Sequence, residues 1–117
     1  MIGEQQIREI LAQYKKHGWN LRRVLLSAPI EENAARTLFG QTEIVPSKLN
    51  ALWFSRASFA EREAWELRWL SDAPFALVEV FEADDEEDVR EDARQEMETR
   101  LLELASKPEQ QIRTGEI

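Results

Sequence analysis

Two carboxylates and a guanidinium lie in a pair of adjacent predicted strands. Glu66 and Arg68 are two residues apart in "WELRWL" at 65–70, and Glu79 is in "FALVEVF" at 75–81. Two acids held close together oppose each other's ionisation unless a cation lies between them. These residues therefore predict either an ion-pair cluster on a solvated sheet face or a polar site for a small molecule.

The strand register decides whether these side chains meet. If Leu70 opposes Phe75 in an antiparallel hairpin, the two glutamates face each other directly. Arg68, or Arg56 from the preceding strand, then bridges them. The same register predicts an uncharged face that meets the helices, made of Trp65, Leu67, Trp69, Ala76, Val78 and Val80.

The opposite face of this hairpin is mixed, because large apolar side chains alternate there with charged ones. A mixed face is most often a solvated sheet face with a local ion-pair cluster, less often a surface that meets another protein, and least often a ligand pocket. The candidate ligand or interface residues are Arg56, Glu66, Arg68, Phe75, Leu77, Glu79 and Phe81.

A second candidate surface is acidic. Eight of the eleven residues at 82–92 are Asp or Glu, and a helix is predicted over 85–106. Carboxylates four residues apart line one face of a helix. They predict either a solvated face or a docking stripe for a basic partner, made of Asp84, Asp88, Asp92 and Glu96.

The composition disfavours several kinds of chemistry. The chain has no cysteine, so zinc-thiolate sites and cysteine nucleophiles have no residues to form them. Its four glycines are far apart in the sequence, which speaks against a Gly-rich phosphate loop. The single histidine, His17, suits the dipole at the end of a helix better than a catalytic triad. We expect no metal and no cofactor.

Periodicity predicts the helices. Apolar residues at i, i+3, i+4 and i+7 give an N-terminal helix over 4–17 that ends at Gly18. A short helix follows Pro29 and ends at Gly40. In the long C-terminal helix, Asp84 is the predicted N-cap, and the predicted buried stripe is Val89, Ala93, Met97, Leu101 and Leu104.

The strands follow from alternation and turn residues. Strands are predicted over 20–27 and 51–58, followed by the hairpin of 65–82, and "TEIV" before Pro46 can be extended. The fold class is therefore α+β: a two-layer domain with an antiparallel β-meander of about four strands and the two long helices packed on one face. Residues 1–107 form this single domain, and 108–117 form a flexible polar tail.

Charge and length limit the function. The chain of 117 residues has a net charge of −8, which repels phosphate backbones and anionic membranes. We predict a cytoplasmic protein that binds neither nucleic acid nor membrane. In size and charge alone it is similar to secretion-type chaperones and bacterial immunity proteins. We expect a non-enzymatic interaction module with an unknown, basic partner or a second copy of itself. The alternative is a small enzyme or ligand-binding domain centred on Glu66, Glu79 and Arg68.

Overall fold

The computed structural model describes residues 2–106. Their fold has three α-helices, one short 3₁₀ turn at Phe59–Glu61 and five strands. In chain order the helices and strands are α1 (Glu4–Lys16), β1 (Asn20–Leu26), α2 (Glu32–Phe39), β2 (Glu43–Pro46), β3 (Ala51–Ala57), β4 (Glu63–Trp69), β5 (Ala76–Phe81) and α3 (Glu87–Ser106). The predicted tail at 108–117 lies outside the described residues.

The five strands form one mixed sheet in the order β2-β1-β3-β4-β5. The predicted α+β class and the antiparallel meander β3-β4-β5 are confirmed. The sheet has one strand more than the predicted four, because "EIVP" at 43–46 pairs with β1. That pairing is parallel, and all the others are antiparallel.

The parallel pair depends on α2, which carries the chain back across the sheet. Glu31 caps the helix by accepting a hydrogen bond from the Ala34 N–H at 3.0 Å. Gly40 ends it with a φ of 65°, a left-handed conformation that glycine adopts without a Cβ clash. The helix of the β1–β2 crossover therefore has a suitable capping residue at each end.

The helices lie on both faces of the sheet, which corrects the predicted two-layer arrangement. α1 and α2 pack through Ile7 and Phe39 on the face that also carries Phe54. α3 packs through Met97 and Leu101 on the opposite face. The reason lies in β3, where five consecutive residues are buried. Because side chains alternate across a strand, a fully buried strand needs cover on both sides.

The C-terminal helix begins later and buries different residues than predicted. It starts at Glu87, so Asp84 is not its N-cap. Val89 and Leu104 of the predicted stripe are exposed, whereas Arg94 is only 2% exposed. A guanidinium thus occupies a position that a purely apolar stripe would give to an aliphatic residue.

Candidate functional site

The register of the β4–β5 hairpin differs from the predicted one by one residue. Glu66 pairs with Val78, and Glu79 pairs with Trp65. Since side chains alternate in direction, a shift of one residue moves every side chain of β5 to the other face. Glu66 and Glu79 therefore lie on opposite faces of the sheet, and the structure does not bring them together.

Three of the candidate residues turn towards α3. Glu79 is exposed on the α3 face. Leu77 is partly buried against the hydrophobic core beneath α3, and Phe81, which is 3% exposed, belongs to that core. Phe75, just before β5, is 37% exposed. The predicted mixed face is thus divided, because Glu66, Arg68 and Arg56 lie on the α1 face. Whether any of them binds a ligand or a partner stays a prediction.

On the α1 face, the partner of Glu66 is Tyr14 rather than another carboxylate. The Tyr14 hydroxyl donates a hydrogen bond to the Glu66 carboxylate, and the Tyr14 ring stacks on Phe54 with 3.9 Å between centroids. Burial, and then the hydrogen bond and charge of Glu66, raise the pKa of Tyr14 well above its usual range. The tyrosine is therefore a neutral donor that keeps the half-buried carboxylate satisfied.

The two predicted bridging arginines have other contacts. Arg56 donates to the His17 carbonyl at 2.8 Å and lies 4.5 Å from the centroid of the Trp19 ring. Arg68 donates to the Trp69 carbonyl and lines an open cleft of about 410 Å³ between α1 and the residues after β4. Among residues 2–106, neither guanidinium lies within salt-bridge distance of a carboxylate.

Two of the α1-facing side chains of β5 are exposed to solvent. Val78 is 55% exposed and Val80 is 45% exposed, although both are β-branched residues in a regular strand. Val24, on the same face, is fully buried in the core that includes α1. The register predicted from sequence had placed Val78 and Val80 in the core. The exposed valines form an apolar surface at the edge of the sheet.

Within residues 2–106, the backbone of β5 is also unpaired along its outer edge. The Trp69 N–H donates to the Phe75 carbonyl at 3.0 Å, which identifies 69 and 75 as a hydrogen-bonded pair. Because such pairs alternate with non-bonded pairs, Leu77, Glu79 and Phe81 also direct their backbone groups to β4. The N–H and C=O groups of 76, 78 and 80 then point away from the sheet, and no other described strand pairs with them.

The two edges of the sheet are not equivalent. β2 has four residues and ends at Pro46, which has no N–H to donate. β5 has six residues without proline, lysine or a bulge, which are among the usual devices that stop an edge from pairing. Its one charged residue, Glu79, lies on the α3 face, away from the exposed valines. β5 is therefore the edge open to a further strand.

The α3 face carries a network of arginines around Trp65. The Arg94 guanidinium lies 4.3 Å from the centroid of the indole ring, and that of Arg22 lies 5.0 Å from it. The indole N–H donates to Glu63 at 2.7 Å. A β-bulge in β1 between Leu21 and Arg23 locally shifts the strand register at Arg22. Periodicity alone gives no sign of such a bulge.

The acids on α3 neutralise these arginines. Arg94 pairs with Glu87 and Glu91, and Arg23 lies 3.6 Å from Glu91. Burial raises the pKa of Glu91, but the hydrogen bonds of Gln95 and Arg94 and the charge of Arg23 outweigh it, so that the pKa lies below its usual value. Since the charges satisfy one another, this network holds α3 on the sheet.

The acidic stripe is shorter than predicted. Asp88, Asp92 and Glu96 are exposed on α3, whereas Asp84 lies in the turn before the helix. Its role in docking stays a prediction. Within the described part of the chain, no group of three or more His, Cys, Asp or Glu residues is arranged to hold a metal ion. No helix in that part is both long and apolar enough to cross a bilayer.

Comparison of the chain with protein-family models, with curated proteins and with solved structures finds no match.

Proposed function

We propose that the protein is a non-enzymatic interaction module that binds a partner by strand addition at the outer edge of β5. In this mode an extended segment of the partner pairs with the open edge of a sheet. Main-chain hydrogen bonds supply affinity, and alternate side chains supply specificity. The single observation that carries the proposal is that, of the three residues whose backbone groups point outward (76, 78 and 80), two are the exposed valines Val78 and Val80.

The side chains beside this edge support a binding role. Val78 and Val80 present apolar surface next to the open donors and acceptors, so a pairing strand removes both from water at once. Burying apolar area contributes about 25 cal/mol per Å². Glu66 is held by Tyr14, and the arginines around Trp65 are used to pack α3. Glu66 and the arginines around Trp65 thus have structural contacts of their own.

Affinity capture with matched variants tests this proposal. Val78→Lys places a charge on the edge, whereas Val89→Lys places the same charge on α3. The two valines are 55% and 54% exposed, so the variants differ in position rather than in burial. Extracts of the cells that encode the chain are passed over each immobilised variant, and the bound proteins are quantified by mass spectrometry.

The expected result is one or more partners retained by the wild type and by Val89→Lys but lost from Val78→Lys. Amide hydrogen exchange on the purified complex then shows new protection at 76, 78 and 80. Partners that bind equally well to Val78→Lys would contradict strand addition at β5.

A second candidate is a ligand site in the cleft beside α1. Its volume of about 410 Å³ falls within the range of small-molecule pockets, and Tyr14 and Arg68 both line it. A library of small carboxylates is screened for an increase in the melting temperature of the wild type. A true ligand loses its effect with Arg68→Met and keeps it with Arg36→Met, a change of the same type on α2. An equal effect on both variants excludes the cleft.

A further inference from the structure

We infer that the partner at β5 is a second copy of this chain, paired antiparallel with Val78 opposite Val78 on a two-fold axis. This inference rests on the proposed function and names its partner. The two sheets then join into one sheet with five strands from each copy. Because the axis is perpendicular to the sheet, the α1 faces of both copies lie on the same side.

The outward backbone groups fit this pairing. They belong to alternate residues, 76, 78 and 80, which are symmetric about 78. With Val78 on the axis, Ala76 of each copy opposes Val80 of the other. Every outward N–H and C=O of the strand then meets a partner in a hydrogen-bonded pair, which gives about six hydrogen bonds. The exposed valines gather at the centre of the α1 face.

Other symmetric registers are worse for identifiable reasons. An axis at Leu77 places Val80 opposite Pro74, which has no N–H. An axis at Glu79 places two like charges directly opposite each other, and an axis at Val80 places Val78 opposite Glu82. In the register with Val78 on the axis, Glu79 instead faces Leu77 of the other copy. The charges and the proline therefore select one register.

The assembly closes at two chains. An interface in which β5 of one copy pairs with β5 of the other is isologous, so the outer edge of β5 is occupied in both copies. The opposite edge of the sheet is the short strand β2, which ends at Pro46. With no donor at that residue, the edge is a poor template for further strands. The expected product is a dimer rather than a filament.

Single-cysteine variants measure the register directly, because the natural chain has no cysteine. Residues opposed in a hydrogen-bonded pair have Cα atoms about 5.5 Å apart, within the range that a disulfide spans. Under mild oxidation, Val78→Cys is expected to form a covalent dimer. Val80→Cys alone lies about 13 Å from its copy in this register and is expected to form about tenfold less dimer. Mixing Ala76→Cys with Val80→Cys restores the cross-link.

A control variant, Val89→Cys, carries a similarly exposed cysteine on α3 and reports random collision. Efficient cross-linking of Val80→Cys with none of Val78→Cys would overturn the register. No cross-link above the control in any variant would overturn the second copy as partner, while strand addition to another protein would still be visible in the capture experiment. Cross-linking of Val78→Cys only after removal of residues 107–117 would overturn the inference too, since that segment would then be the occupant of the edge.

Discussion

The two faces of β5 are covered to different extents. On one face Phe81 is buried beneath α3, with the Arg90 guanidinium 5.7 Å from its ring centroid. On the other face, Val78 and Val80 remain exposed. The same strand therefore stabilises the monomer with one side and presents apolar surface with the other.

The helices explain the difference. α3 has 20 residues and contacts both β4 and β5. α1 has 13 residues, contacts β1 and reaches β4 through Tyr14, and among the described residues no hydrogen bond or ion pair joins it to β5. Because α1 reaches only as far as β4, the α1-facing side of β5 remains as an exposed strip of the sheet. We interpret this strip, with the open edge beside it, as the binding surface.

The largest effect is expected in the core beneath α1. Phe54→Ala removes the ring that stacks on Tyr14 and lies 1% exposed. Truncating a buried phenylalanine costs about 3–5 kcal/mol of unfolding free energy, since burial is lost and a cavity remains. Chemical denaturation measures it. A loss below about 1 kcal/mol would show that the α1 layer is loosely packed, and the contrast with the exposed valines would disappear.

The second-largest loss of unfolding free energy is expected on the α3 face. Arg94→Met keeps an apolar stem but removes the guanidinium from Trp65, Glu87 and Glu91. The two acids are partly exposed and regain water, so the expected loss is about 2 kcal/mol, less than for a fully buried pair. Arg100→Met, on an exposed position of the same helix, serves as the control and should change stability by less than about 0.5 kcal/mol. Equal effects of the two variants would contradict a structural role for the network.

A smaller effect is expected at Tyr14, and it depends on pH. Tyr14→Phe keeps the stacked ring but removes the hydrogen bond to Glu66, at a cost of about 1–2 kcal/mol near neutral pH. The pKa of Tyr14 is raised in the folded state. Its contribution is therefore fully present below the ordinary tyrosine pKa of about 10 and is lost as pH rises through the folded value.

The chain has one tyrosine, so tyrosinate absorbance during an alkaline titration reports on Tyr14 alone. It should appear above the ordinary range and together with unfolding. The stability difference between wild type and Tyr14→Phe should shrink over the same pH range. Ionisation at an ordinary pKa in the folded protein would contradict the buried hydrogen bond.

The smallest effect on stability is expected at the exposed strip. Val78→Ala removes two methyl groups that are largely in water, so unfolding free energy at low protein concentration should change by less than about 0.5 kcal/mol. Self-association should weaken, as seen by sedimentation across a concentration series. If the affinity of the dimer is unchanged, Val78 does not lie in the interface.

The sequence was sufficient for the larger features of the fold. The alternation in β4, the apolar stripe of α1 and the glycines that end the first two helices all predicted the observed elements. These signals are local, so they do not depend on what packs against them. The parallel strand β2 has a weak signal of its own, since its pairing depends on the crossover through α2.

The β4–β5 register and the placement of the helices on both faces of the sheet were harder to predict from the sequence. The turn between β4 and β5 can be closed in two ways that differ by one residue, and the choice exchanges the faces of Glu79 and Val78. The buried position of Arg94 in α3 depends on Trp65, which lies in β4. Such features are set by tertiary contacts between distant residues, and no period in the sequence encodes them.

The most direct test of the account is residue-resolved amide hydrogen exchange along β5, measured by NMR on the chain alone at low and high concentration. At low concentration, the amides of Leu77, Glu79 and Phe81 should be protected by β4, and those of 76, 78 and 80 should exchange freely. At high concentration, only 76, 78 and 80 should gain protection, because they pair with the second copy. Unchanged exchange at these three amides would contradict the central claim that β5 is a self-pairing edge.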